Sequence, residues 1–137
     1  MAKNIAIIAT SFHKETMQGM IRDARITAKE EGLTIVKEVC VPGCYEVPLV
    51  LKRLFAAKNI DGAVVLGIIE KGKTKHGMVM GIVVHDAIVR LELESGKPVG
   101  LGILGPEILL KQVPPRAKLY ARKSVLALKA LLEQQNT

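Results

Sequence analysis

Tryptophan is absent, and phenylalanine and tyrosine occur twice each, so aromatic residues make up 3% of the chain. A core built from this sequence must be aliphatic, and a single-strand nucleic-acid groove, which needs flat side chains interleaved with basic ones, has little to be built from. No stretch approaches the roughly 20 apolar residues of a membrane span. The segment from Met1 to Asn4 leads straight into a strand pattern without the layout of a signal peptide, so a soluble cytoplasmic protein is the expectation. Cysteine is limited to Cys40 and Cys44, which bracket Val41-Pro42-Gly43. Two thiols with no second pair and no nearby His cannot complete a structural zinc site, and they read as reduced and unlinked, with no metal.

What is present fits one globular domain spanning 1–137, with 49% hydrophobic and 24% charged residues. A chain of this size buries roughly 68% of the surface its unfolded form exposes, enough for a core without staples. The net charge of +7 suits nucleic acid, an acidic membrane or a phosphorylated small molecule alike. The basic residues are scattered along helical segments, so a solvated basic surface is expected, with neither nucleic acid nor membrane as partner.

The order of patterns is that of a β/α alternation. Ile5 to Ala9 is a short apolar run, and Lys14 to Glu31 carries Met17, Met20, Ile21, Ala24 and Ala28 at helical spacing before Gly32 stops it. Leu33 to Cys40 alternates as a strand. Tyr45 to Ala57 returns to helical spacing, offering Leu49, Leu51, Leu54 and Phe55 to the core. Gly62 to Ile69, the most apolar run, predicts a central strand buried on both faces, and Lys73 to Glu94 predicts a long helix. Pro98 to Leu104 predicts a fourth strand, Gly105-Pro106 a turn, Glu107 to Val113 a short helix, and Ala117 to Gln134 a closing helix after Pro114-Pro115. The fold class expected is α/β: a flavodoxin-like three-layer α/β/α sandwich on a four-stranded parallel sheet.

Ligands of such sheets bind beyond the carboxyl ends of the strands, so the loops there hold the candidate site. Phe12, just past the first strand, either presents a flat face to a heteroaromatic ring or tucks into the core. Glu46, at the start of the second helix, on its own reads as a carboxylate favouring a helix amino terminus. Gly72-Lys73-Thr74-Lys75-His76 brings backbone amides, a hydroxyl and ammonium groups to where an anion is stabilised. It has neither P-loop nor dinucleotide-fingerprint spacing, which argues against an ordinary nucleotide-binding enzyme. His76 either moves protons near neutral pH or is a surface residue, and His85 faces packing or a subunit contact.

Taken in order, these loops resemble those of the lumazine synthase family over nearly the whole chain. Val41-Pro42-Gly43-Cys44-Tyr45-Glu46-Val47-Pro48 resembles the family's Val-Pro-Gly-Ala-Phe-Glu-Ile-Pro. Leu66-Gly67 followed by Gly72 to His76 resembles its Leu-Gly and Gly-Glu-Thr-x-His segments, and Gly105-Pro106 in place of Thr-Thr is similar to archaeal members. The resemblance implies condensation of a ribitylaminopyrimidinedione with dihydroxybutanone phosphate to dimethylribityllumazine, with no metal or organic cofactor. It implies that Phe12 stacks on the pyrimidine, that Cys44, Tyr45 and Glu46 line the ribityl side, and that Ile68, Ile69 and Glu70 offer backbone groups. Lys73 and Thr74 would bind phosphate, His76 would shuttle protons, and Arg116 would clamp the phosphate.

Two positions depart from the family pattern: Lys73 replaces a usually acidic or neutral residue, and Leu101 stands where many members have a Phe reaching into a neighbour's site. The family further implies a homo-oligomer, a pentamer or multiples of it up to an icosahedral shell. Archaeal riboflavin synthase is similar in organisation, with Thr10-Ser11-Phe12 resembling its first loop, and a non-catalytic shell protein holding a flavin-like ring is a third reading.

Overall fold

The computed structural model describes residues 2–134; Met1, where the amino-terminal reading began, lies outside them. Four strands, β1 (Asn4–Thr10), β2 (Thr34–Val41), β3 (Gly62–Glu70) and β4 (Val99–Ile108), alternate with helices α1 (Lys14–Glu30), α2 (Val47–Phe55), α3 (His76–Ser95) and α4 (Pro114–Glu133). All strand pairings are parallel, in the order β2-β1-β3-β4. This is the flavodoxin-like winding, in which the order reverses between β1 and β3 and opens a crevice at their carboxyl ends. The expected fold class is the observed one.

Side chains alternate across each strand, which divides the core into two layers. Ile5, Ile7, Val64, Leu66, Ile68 and Leu104 face α1 and α4, where Met17, Met20, Ala24, Val125 and Leu128 meet them. Ala6, Ile8, Val65, Ile69, Val99 and Ile103 face α2 and α3, against Val47, Leu51, Phe55, Val84 and Ile88. The α4 layer lies close because β4 carries glycines on that face: a Cβ at Gly102 would approach Leu66 Cδ2 to 2.7 Å and Ser124 Oγ to 3.1 Å.

Several local expectations are corrected. Leu49 is 55% exposed, since the buried stripe of α2 runs through Val47, Leu51 and Phe55 and a residue two positions from Val47 points about 200° away on a helix. The helix expected from Tyr45 is a short 3₁₀ turn, Cys44–Glu46, followed by α2. Gly105-Pro106 makes no turn: β4 runs on to Ile108, paired with Glu70, and the Lys71 N–H donates to the Ile108 carbonyl at 2.7 Å. The helix expected over Glu107 to Val113 shrinks to the 3₁₀ turn Leu110–Gln112. The prolines at 114 and 115 open α4 rather than precede it, as fits residues whose missing N–H groups would be unpaired in a first turn.

Candidate active site

Three loops converge at the crevice. The turn after β2 is fixed by Glu46, whose carboxylate accepts the Gly43 N–H at 2.9 Å, so this side chain does cap locally while also facing the cavity. After β3 the chain does not enter α3 at Lys73: residues 72–75 turn first, and the His76 N–H donates to the Thr74 hydroxyl at 3.3 Å. The absence of a side chain at Gly77 lets α3 begin against the end of β3, where a Cβ would come within 2.9 Å of the Glu70 carbonyl oxygen.

Between these loops lies a cavity of about 600 Å³ whose wall includes Phe12, Cys44, Glu46, Ile68, Ile69, Glu70, Thr74 and His76. Pro42, Gly43, Gly72, Gly77 and Met80 complete it. Its size suits a small molecule, and its mixture of apolar wall with a few polar groups is that of a ligand site. Phe12 is not tucked into the core but 50% exposed. Tyr45, 43% exposed, is not part of the wall but stands edge-on to His76, with ring centroids 5.9 Å apart.

The remaining candidates lie elsewhere in the single chain. Lys73 is exposed on the loop and takes no part in the wall. Leu101 is on edge strand β4, 36% exposed. Arg116, in the first turn of α4, donates from Nη1 to the Gln112 carbonyl at 2.9 Å. His85 is not on the wall; its Nδ1 is 2.7 Å from the Gly81 carbonyl oxygen within α3.

The chemistry available is a flat ring face, two carboxylates, a hydroxyl and amides at a helix start, and an exposed imidazole. Cys44 adds no nucleophile: burial first, then the nearby Glu46 charge, push its thiol up to about 11, partly offset by a hydrogen bond with the Ile68 backbone. Cys40 is exposed, and both cysteines are free.

The residue that sequence reasoning passed over is His13. Its Nε2 lies 2.9 Å from Glu70 Oε1, joining the loop after β1 to the end of β3. The partners are 57 positions apart, so no local pattern reports them; the signal was the adjacency of those two loops at the switch point.

Comparison with known proteins shows what the chain as a whole resembles. A family model described as 6,7-dimethyl-8-ribityllumazine synthase matches residues 2–137. A protein of that name from Pyrobaculum arsenaticum is 35% identical over 133 residues, covering 97% of this chain and 89% of its own length. Others of the same name, from Staphylothermus marinus and Methanopyrus kandleri, are 33% and 37% identical, over 97% and 90% of this chain and 89% and 86% of theirs.

Proposed function

The chain belongs to the 6,7-dimethyl-8-ribityllumazine synthase family, a family of transferases of riboflavin biosynthesis, and from that premise we propose that its cavity condenses 5-amino-6-(D-ribitylamino)uracil with 3,4-dihydroxy-2-butanone 4-phosphate. The observation that carries the reading is the convergence of Phe12, Glu46, Thr74 and His76, from the loops after three strands, on one cavity wall.

In this proposal Phe12 stacks on the pyrimidine, and Glu46 accepts hydroxyl hydrogen bonds from the ribityl chain beside Cys44 and Tyr45. The backbone of Ile68, Ile69 and Glu70 binds the ring edge. The phosphate lies at the start of α3, where amides and the Thr74 hydroxyl meet it and the helix dipole favours negative charge. Lys73 supplies a diffuse positive field from the loop. The primary amine attacks the ketone carbon and water leaves as the imine forms. Phosphate then departs as a carbon-bound proton is removed, and the second amine closes the ring with loss of water. His76, exposed beside the Tyr45 edge, is the group that moves these protons, a role for which an imidazole is suited near neutral pH.

Arg116 and Leu101 act in this account from a neighbouring subunit, the guanidinium on the phosphate and the aliphatic chain over the pyrimidine. The homo-oligomer they need, a pentamer or a multiple of it, has support in α3. Val79, Ile82, Val83 and Leu93 are 51%, 63%, 50% and 78% exposed, an apolar face of the kind that marks a protein contact. The enzyme acts in the cytoplasm in this reading, and among the described residues no helix is long and apolar enough to cross a membrane.

The test is product identity. Supplied with both substrates, the protein should yield dimethylribityllumazine and phosphate; supplied with lumazine alone, it should yield nothing. Riboflavin from lumazine alone would replace this reading with the riboflavin synthase one.

A further inference from the structure

We infer that His13 is a positioning residue that holds the Glu70 carboxylate and the Phe12 ring as one unit, so that the second carboxylate oxygen of Glu70 accepts an N–H of the pyrimidine stacked on Phe12. The inference rests on the function proposed above and extends it, because there Glu70 contributes only its backbone.

His13 occupies a position that its type does not favour. It is the N-cap of α1 with φ 61 and ψ 60, a left-handed conformation, and it makes no side-chain hydrogen bond to the helix it caps. Glycine adopts that backbone without strain, and Asn or Asp, which tolerate it, would also cap the helix. A histidine here gives up both advantages. Its imidazole is spent on Glu70 instead, Nε2 to Oε1 at 2.9 Å, with the two side chains 24% and 29% exposed. Strain of this kind persists where surrounding structure holds it in place, and it clusters at ligand sites.

The same ring also braces Phe12: the two ring centroids are 4.1 Å apart at an interplanar angle of 56°. Phe12 and Glu70 both line the cavity, so one imidazole supports a stacking face and an acceptor at once. The neighbouring cation does not compete for the carboxylate, since Lys71 pairs with Glu107 at 3.6 Å. With Nε2–H donated to Oε1, Oε2 remains to accept from a ligand. A pyrimidinedione bearing amino groups presents N–H donors along its edge, and a charged acceptor recognises them more strongly than a neutral one.

The test uses the full chain with His13→Gly, His13→Gln, Glu70→Gln and the double variant His13→Gly/Glu70→Gln. Glycine fits the left-handed backbone, so His13→Gly removes the imidazole without stressing the fold. Expected is a rise of about tenfold in KM for the pyrimidine, as for loss of one hydrogen bond to a charged group. KM for the butanone phosphate and kcat should move less than about twofold. His13→Gln, which keeps an N–H donor, should recover most of the loss, and the double variant should be no worse than Glu70→Gln alone, as for residues acting in one network. A wild-type pyrimidine KM in His13→Gly, equal rises for both substrates, or multiplying effects in the double variant would overturn the inference. Equilibrium titration of the pyrimidine reads the same tenfold change without turnover. A wild-type protein that bound the pyrimidine but made no lumazine would therefore fail the proposed function and leave His13 still decided by its binding constants.

Discussion

Gly67 leaves room for the wall of the cavity, and filling that room should be costly in a way that one further substitution repairs. A Cβ there would lie 2.9 Å from Cys44 Sγ, 3.3 Å from Thr10 Cγ2 and 3.4 Å from Thr10 Oγ1. Carbon and sulfur approach favourably only near the roughly 3.5–4 Å of ordinary contact, so the sulfur must move by more than about half an ångström. Thr10, 1% exposed, has no space to retreat, and Cys44, 2% exposed, can yield only toward the cavity it lines. Gly67→Ala should therefore cost about 1–3 kcal/mol, the usual range for overpacking. It should also push Cys44 toward the cavity and slow turnover. Cys44→Ala alone opens a small void and costs about 1 kcal/mol. In the double variant the new methyl takes the volume the sulfur vacated. The two losses should then fall short of their sum by about 1–2 kcal/mol, and activity should return. Urea unfolding at one fixed protomer concentration measures this through the midpoint, provided the slope is unchanged. Losses that add to within about 0.5 kcal/mol would refute the reasoning.

Further expectations follow from other residues. The unfolded Cys44 thiol ionises near 9.0 and the folded one only at about 11, so between these values the unfolded state holds fewer protons and stability falls as pH rises. The contribution is complete below pH 9 and about 2–3 kcal/mol smaller above 11, and Cys44→Ala should abolish that part of the slope in unfolding curves. At neutral pH an alkylating reagent should modify exposed Cys40 and spare Cys44 until the chain unfolds. Glu107 carries φ 65, and its pair with Lys71 is partly exposed, so Glu107→Gly should raise the melting temperature by the equivalent of about 0.5 kcal/mol; a fall would count against strain there. Sedimentation should find a pentamer or a multiple of it at micromolar protomer, and Ile82→Asp on the outer face of α3 should dissociate it.

The alternation of strands and helices was legible because the signals are local. Gly62 to Ile69 is apolar without interruption, and Met17, Met20, Ala24 and Ala28 repeat at helical spacing, so neither needs a partner to be recognised. One misread segment was decided by a distant partner and one residue by helix phase. Gly105-Pro106 carries turn chemistry, yet β4 passes through it because Glu70 and Lys71 at the end of β3 supply pairing as far as Ile108. Leu49 has the composition of a core residue, and only the phase set by Val47 and Leu51 turns it outward. Phe12, Glu46, Thr74 and His76 share the cavity wall in the loops that the strand ends pointed to, but Phe12, Glu46 and His76 each had a second, local reading, and only the family resemblance gave them roles at a site. The single chain does not bring Tyr45, Lys73, Leu101 and Arg116 to the cavity wall, and His13 was hidden because its partner Glu70 is reached through topology.

The location of the chemistry is tested most directly by one assay on three proteins. Wild type, His76→Asn and Phe12→Ala are mixed with the pyrimidine amine and the butanone phosphate, and lumazine fluorescence is followed above the uncatalysed background. The account predicts clear enhancement by wild type. His76→Asn should lose about 10²-fold or more in kcat, as for removal of a general acid and base, with pyrimidine binding retained, and Phe12→Ala should be impaired chiefly in pyrimidine KM. Lumazine formed by both variants as fast as by wild type would place the reaction outside this cavity and contradict the account.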